Sequence, residues 1–173
     1  PALEAVIAED DHALLDLVLG PRVRGLALSD LSALHSSLVW GDYEARLDAR
    51  AETLRRLGAA GADLVARADD GAPLLCGYIR RGFDLPAIAV IEAGSDLEAR
   101  DRNLVTPLLQ CCDCYSDHEQ QANIAHALLD AGADADTCEW LSRGTWELAT
   151  GTSNAAIVEM LEQRFAATLA ERG

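Results

Sequence analysis

Residues 128–134 read Leu-Leu-Asp-Ala-Gly-Ala-Asp, an apolar helix end followed by a glycine, a small residue and an aspartate. The same glycine–small–aspartate element occurs at residues 61–63 and 94–96, so its glycines are 33 and 38 residues apart. A repeat of this period predicts a stack of small helical units rather than one globular core. Glycine adopts a positive φ at little cost, so we expect Gly61, Gly94 and Gly132 to end helices in the left-handed conformation. The aspartate after each glycine is expected to accept hydrogen bonds from backbone N–H groups of the loop.

A second marker follows each copy, at residues 72–75, 106–109 and 144–146. The first two read Ala-Pro-Leu-Leu and Thr-Pro-Leu-Leu, and proline fits the first turn of a helix because no N–H is needed there. The two markers stay in phase and therefore predict one domain, residues 1–173, made of five units. Their approximate bounds are 2–31, 32–70, 71–104, 105–143 and 144–173.

Apolar periodicity predicts the helices inside these units. Gly58 and Gly61 are expected to end a long helix, Gly82 to separate two shorter ones, and Pro86 to open the second of these. The polar segment 113–121 is interpreted as an insertion between helices. Apolar faces are predicted at Leu47, Ala51, Leu54 and Leu57, at Leu14, Leu15, Val18 and Leu19, and in a last helix, capped by Ser153 or Asn154, at Ile157, Met160, Leu161, Phe165 and Leu169.

These motifs resemble the ankyrin repeat. Thr106-Pro107-Leu108 and Ser32-Ala33-Leu34-His35 are similar to that family's helix start, and residues 128–134 are similar to its second-helix end. The resemblance covers about residues 3–169 and implies an all-α, ankyrin-type helical repeat solenoid of stacked helix-turn-helix units with hairpin loops. It also implies that hairpin tips and first-helix faces bind a protein partner, and that His35 makes a hydrogen bond between neighbouring units.

The charge balance limits the class of partner. The chain has 29 acidic and 14 basic residues, a net charge of −15, and every basic residue is Arg. Nucleic acids and anionic membranes both require cationic surfaces, so we expect neither as a partner. A basic protein would be attracted, although an acidic surface also serves simply to keep a protein soluble. We expect a monomer when the protein is free.

The cysteines raise one alternative. Cys111, Cys112 and Cys114, with His118 and Cys138, could in principle hold zinc, but small buried cysteines also suit tight helix contacts. We favour packing and expect no metal and no cofactor. Five cysteines do not suggest a secreted disulfide framework. No apolar stretch approaches the ~20 residues that cross a bilayer, so a cytoplasmic location is expected.

Catalysis is not predicted. The four histidines, His12, His35, His118 and His126, stand beside no recognisable nucleophile with an orienting acid. The chain has neither a Gly-x-Ser-x-Gly elbow nor a phosphate-binding glycine loop. We therefore expect a protein that is not an enzyme.

Charge and aromatic residues indicate where a partner would bind. Between residues 103 and 142 there are seven acidic residues and no Arg, which predicts either a solvated face or an anionic docking patch. Trp and Tyr are frequent binding residues, although Tyr43 and Tyr78 could equally pack against a neighbouring loop. The predicted partner-binding residues are Trp40, Tyr43, Asp69, Asp70, Tyr78, Arg102, Asp113, Tyr115, Asp117, Glu119, Glu139 and Trp140.

The sequence thus predicts a non-catalytic protein–protein interaction module. All-Arg usage and Ala/Leu richness suggest a bacterial source, where such a protein could be an immunity protein that neutralises a cognate toxin. Two alternatives stay open: a scaffold or adaptor that tethers a cellular enzyme, and a zinc or redox function centred on Cys111, Cys112 and Cys114.

Overall fold

The computed structural model describes residues 6, 7, 9, 11–18, 46–62, 64, 71–113, 118–135 and 154–172. Over these residues the chain forms helices and turns without a β-strand, so the predicted all-α class is confirmed for the described part. The helices are α1 (His12–Val18), α2 (Leu47–Ala59), α3 (Leu74–Arg81), α4 (Asp84–Glu92), α5 (Pro107–Asp113), α6 (His118–Asp130) and α7 (Ala155–Arg172). No helix of this described set is both long enough and apolar enough to cross a membrane.

Side-chain caps begin several helices. The Asp11 carboxylate accepts hydrogen bonds from the N–H groups of Ala13 and Leu14 at 3.1 and 3.0 Å and so starts α1. Asn154 accepts from the N–H of Ile157 at 3.4 Å at the start of α7, which confirms Asn154 as the cap of the last helix. Pro107 is the first residue of α5 as predicted, whereas Pro73 lies at the N-cap of α3, one residue before the helix.

Four helices end at a glycine with positive φ. The φ angles are 86° at Gly61, 69° at Gly82, 83° at Gly94 and 98° at Gly132, which confirms the left-handed helix ends expected at Gly61, Gly94 and Gly132. At the end of α6, Gly132 N–H donates to Leu129 O at 3.1 Å and Ala133 N–H to Leu128 O at 2.9 Å, and the other three ends share this pattern. It is the Schellman motif, and it satisfies carbonyl groups that the helix leaves open.

The aspartate after the glycine behaves as expected at Asp96. Its carboxylate accepts a hydrogen bond from the N–H of Glu98 at 3.0 Å, which fixes the loop after α4. At Asp134 the backbone N–H donates to Glu98 Oε1 at 2.8 Å. Asp63 lies outside the described residues.

The structure corrects three details of helix placement. Gly58 lies inside α2 rather than at its end. The segment 113–121 is mostly helical, because α5 runs to Asp113 and α6 already begins at His118. Pro86 is the third residue of α4, which begins at Asp84.

The apolar face predicted around Leu14 is also corrected. Leu15 is buried, but Leu14 is exposed, because the face of α1 that meets α2 carries His12, Asp16 and Leu15. The faces predicted for α2 and α7 hold where they are described: Ala51, Leu54, Leu57, Ile157 and Leu161 are buried, and Leu47 and Met160 pack against the core.

The helices pack in two groups. In the first, α1 packs on α2, α2 on α4, α4 on α6 and α6 on α7; we call these five helices the outer row. In the second, α3 packs on α5; we call these two helices the buried pair. The groups are joined because α3 also packs on α4 and α5 on α6. One continuous apolar core links them, from Ile7 to Leu161.

The buried pair has almost no contact with water. Residues 74–79 of α3 and 107–112 of α5 are all buried. A helix that is apolar all round lies in the core of a protein. The two helices contain the small residues Gly77, Cys76, Cys111 and Cys112, which allow neighbouring helices to pack closely.

Side-chain hydrogen bonds between distant elements connect residues at a nearly constant separation. Nine such bonds between described residues span 35 to 42 positions along the chain. They include Arg55 to Glu92 between α2 and α4, Asn123 to Asp84 between α6 and α4, and Arg164 to the Leu129 carbonyl between α7 and α6. Each element is therefore bonded to the one that precedes or follows it by a similar length of chain.

Candidate partner-binding surface

Most of the predicted partner-binding residues cannot be placed. Asp113 ends α5, but its side chain is outside the described part of the structure. Eight others lie wholly outside the described residues: Trp40, Tyr43, Asp69, Asp70, Tyr115, Asp117, Glu139 and Trp140. The prediction for these nine residues therefore stays a prediction.

The structure corrects the prediction that Tyr78 binds a partner. Its side chain is 0% exposed and belongs to the core cluster in α3, so it is unavailable to a partner in this conformation. Tyr78 lies in the part of α3, residues 74–79, in which every residue is buried. Burial in the core cluster is the role that the structure shows for this residue.

Arg102 lies at the tip of an exposed hairpin between α4 and α5. This tip is built on Asp101, whose carboxylate accepts hydrogen bonds from the N–H groups of Asn103 at 2.8 Å and Val105 at 3.1 Å. Two backbone bonds close the turn, from Asp101 N–H to Val105 O and from Leu104 N–H to Asp101 O. Side-chain-to-backbone bonds of this kind fix a turn because the aspartate replaces missing backbone partners.

Leu104 in this tip was not expected from the sequence. It is 51% exposed and has a φ of 62°, the one positive φ at a non-glycine residue of the described chain. Arg100 Nη1 donates to its carbonyl at 2.8 Å and holds the peptide in place. The polar run Asp101-Arg102-Asn103 signalled a turn, but nothing in the sequence indicated that the leucine would point to solvent.

The described part of the acidic stretch is at the surface. Glu119, Asp130 and Asp134 are all exposed. Asp130 Oδ2 lies 2.9 Å from Nδ1 of His126, one helical turn away, and the exposed Glu98 carboxylate accepts from the Asp134 N–H. These carboxylates extend along α6 and its following loop, and α7, which packs on α6, exposes Glu159 and Glu162. Arg164 contributes its charge there and donates to the Leu129 carbonyl.

A groove separates α6 from α7. It has a volume of about 240 Å³ and is lined by His126, Leu129, Asp130, Met160, Gln163 and Arg164. Its lining mixes a carboxylate, a guanidinium, an imidazole, an amide and two apolar side chains, so it selects no single ligand chemistry. The groove is open to solvent and adds area to the acidic side of the outer row.

The structure describes only some of the residues on which the zinc or redox alternative depends. Cys111 and Cys112 are buried in α5, as is Cys76 in α3, and none of the three is in a disulfide. Among the described residues no group of three or more His, Cys, Asp or Glu side chains could hold a metal ion. Cys114, Cys138 and the side chain of His118, which would complete the proposed zinc ligands, lie outside the described part.

The remaining polar groups link helices of the outer row. His12 Nε2 lies 3.0 Å from the Ala49 carbonyl and 3.2 Å from Thr53 Oγ1. The hydrogen bonds that Arg56 donates to Asp16 and Glu52 raise the pKa of its guanidinium above the usual value. Like any arginine it is charged at physiological pH, and its bond to Asp16 links α2 to α1.

Neither a scan against protein-family models nor a search of curated proteins found a match to this chain.

Proposed function

We propose that this protein is an ankyrin-type repeat solenoid without catalytic activity that binds a basic protein partner. One observation carries the proposal: side-chain hydrogen bonds between described elements join residues 35 to 42 positions apart. Repeat proteins are stabilised by contacts between neighbouring units of this length. The outer row and the buried pair correspond to the second and first helices of such units.

The partner's charge follows from the exposed residues. The chain carries a net charge of −15, and the carboxylates of Glu119, Asp130 and Asp134 are all at the surface. An extended acidic face accelerates association with a basic protein and disfavours acidic ones. Because Tyr78 is buried, the binding surface consists of hairpin tips and the acidic side of α6 rather than the face of α3.

Affinity capture with two charge-matched variants tests this. Glu119→Gln/Asp130→Asn removes two acids from α6, and the control Glu9→Gln/Asp48→Asn removes two exposed acids at the other end of the outer row. The native chain and the control should retain a basic protein from a bacterial lysate at about 0.05 M salt and release it at about 0.5 M. The α6 variant should retain much less. Equal retention by all three chains, or retention of nothing, would contradict the proposal.

The biological role we propose is that of a cytoplasmic bacterial immunity protein that occludes a cognate toxin. We propose this role because the chain is small, acidic and built to bind another protein. Co-expression of the native chain with the captured protein should rescue cells from its toxicity, and the α6 variant should rescue them less. A captured protein that is harmless alone, yet stays bound, would instead assign the chain as a scaffold or adaptor.

A further inference from the structure

The groove between α6 and α7 continues beyond the part that contains Asp130 and Arg164. Three residues, His126, Met160 and Gln163, line both that part and a second part with a volume of about 290 Å³, so the groove is continuous. Both helices contribute to the second part, whose described lining residues are Ala122, Asn123, His126, Ala156, Glu159, Met160 and Gln163.

The size and shape of this second part favour a side chain over a small molecule. Pockets that bind small molecules have volumes of about 300–1,000 Å³ and enclose most of the ligand. The second part of the groove is at the lower limit of this range and is open to solvent. It therefore suits a single side chain that another protein presents.

The second part differs from the first in its charge. Among its described lining residues Glu159 is the one carboxylate and there is no guanidinium group, whereas the first part contains both Asp130 and Arg164. Glu159 is exposed, and its Oε1 accepts a hydrogen bond from Gln163 Nε2 at 3.4 Å. A neutral amide does not cancel the charge of a carboxylate, and no described Arg forms an ion pair with Glu159. The negative charge of the second part is therefore uncompensated.

Apolar side chains form much of the remaining wall. Met160 is partly buried against the core, and Ala122 and Ala156 lie on the two helices that border the groove. A methionine side chain adapts its shape to different occupants. Lys and Arg cover apolar surface with their alkyl stems while their charged heads stay in water. An apolar wall beside one uncompensated carboxylate therefore matches a Lys or Arg side chain.

We propose that the second part of the α6–α7 groove binds a Lys or Arg side chain of the partner protein, with its alkyl stem on Met160 and its charged head paired with Glu159. The inference rests on the proposed function and identifies where one cationic side chain of the basic partner binds. It also adds α7 to the binding surface.

Two matched pairs of variants on α7 test the groove. Glu159→Gln removes the carboxylate of the groove, and Glu162→Gln removes an exposed carboxylate of the same helix that is not among the lining residues. Ala156→Phe fills the second part, and Ala155→Phe places the same ring on the adjacent exposed residue, which is also outside the lining. Melting temperatures are recorded for all four variants.

The probe is a displayed library of random peptides that are selected on the native chain. We expect a class of peptides with Lys or Arg beside an aliphatic residue. Its affinity should fall about tenfold on Ala156→Phe, because the ring occupies the site, and about threefold on Glu159→Gln, because a partly exposed ion pair is lost. Glu162→Gln and Ala155→Phe should bind these peptides nearly as tightly as the native chain.

Two results would overturn the inference. The first is equal affinity of the native chain, Ala156→Phe and Glu159→Gln for every selected peptide. The second is an equal loss within each matched pair, since net charge or bulk on α7 would then act without the groove. If Ala156→Phe melts well below Ala155→Phe, the glutamate pair alone decides, because Glu→Gln changes the charge and hardly the volume.

The same library separates this inference from the proposed function. Basic peptides that depend on Glu119 and Asp130, but not on Glu159 or Ala156, would support the acidic docking face and contradict the site in the groove. A selection that yields no basic peptides would contradict both proposals.

Discussion

The buried pair and the outer row use similar small, aliphatic residues in different ways. In α3 and α5 the residues from 74 to 79 and from 107 to 112 are all covered, so their side chains contribute mainly through packing. Helices of the outer row keep one face in water, where Arg55, Glu92 and Asn123 bond to neighbours. Mutations in the buried pair should therefore change stability most, while mutations on the outer row should change binding with little effect on folding.

Tyr78→Ala should have the largest effect on folding. The side chain is fully buried in α3, so its removal should cost about 3–5 kcal/mol through lost contacts and a residual cavity. Chemical denaturation measures the change, and Tyr78→Phe is the control because it keeps the ring. A native-like stability of Tyr78→Ala would show that α3 is not a core helix.

Gly58→Ala tests the closest approach within the outer row. A Cβ at this position would lie 2.8 Å from Ala93 Cβ, where α2 meets α4. The clash should destabilise the fold by about 1–3 kcal/mol, partly offset by about 1 kcal/mol of helix propensity. In a double-mutant cycle, Ala93→Gly should restore most of the loss because it removes the opposing methyl. A Gly58→Ala variant more stable than the native chain would contradict this contact.

Gln121→Ala tests the connection between the two groups of helices. Gln121 Nε2 donates to the carbonyl of Ile79 at 2.7 Å in a buried position, which joins α6 to the end of α3. Loss of this bond should lower the free energy of unfolding by about 1–2 kcal/mol. This is the lower part of the range for a buried hydrogen bond, because Ile79 O keeps a second donor, the N–H of Gly82. Gln121→Glu keeps the shape without the donor and should be at least as destabilising. Equal unfolding free energies for the native chain and both variants would show that this bond does not stabilise the fold.

Removal of the Arg55–Glu92 ion pair should have the smallest effect on the free energy of unfolding. The two side chains lie 2.8 Å apart, both about half exposed, and such surface pairs contribute about 0–1 kcal/mol. Arg55→Ala, Glu92→Ala and the double variant form a cycle whose coupling should shrink further at high salt. A coupling as large as the loss in Tyr78→Ala would mean that polar contacts, and not packing, hold the outer row together.

Local features of the fold were predictable from the sequence. Gly61, Gly94 and Gly132 end helices because a left-handed residue is a local backbone requirement that glycine meets best. Asn154 caps α7 for an equally local reason. Such features depend on a few adjacent residues, so they can be identified without knowledge of the tertiary structure.

Features that depend on distant residues were missed. The sequence predicts Gly58 at a helix end. Its proximity to Ala93 arises only from the packing of α2 on α4, which the local sequence does not encode. The polar residues 118–121 resembled a loop, yet they form the first turn of α6 and include the buried Gln121. The candidate surface was the least predictable part, because burial removed Tyr78 and exposure added Leu104.

The covered thiols of Cys76, Cys111 and Cys112 provide a probe of opening at the centre of the molecule. All three are at most 1% exposed, so an alkylating reagent reaches them only when α3 or α5 separates from its neighbours. In a chain with Cys114 and Cys138 replaced, the rate of alkylation reports the free energy of that opening. A bound protein that slows alkylation without touching either helix would reveal that docking at the periphery tightens the interior.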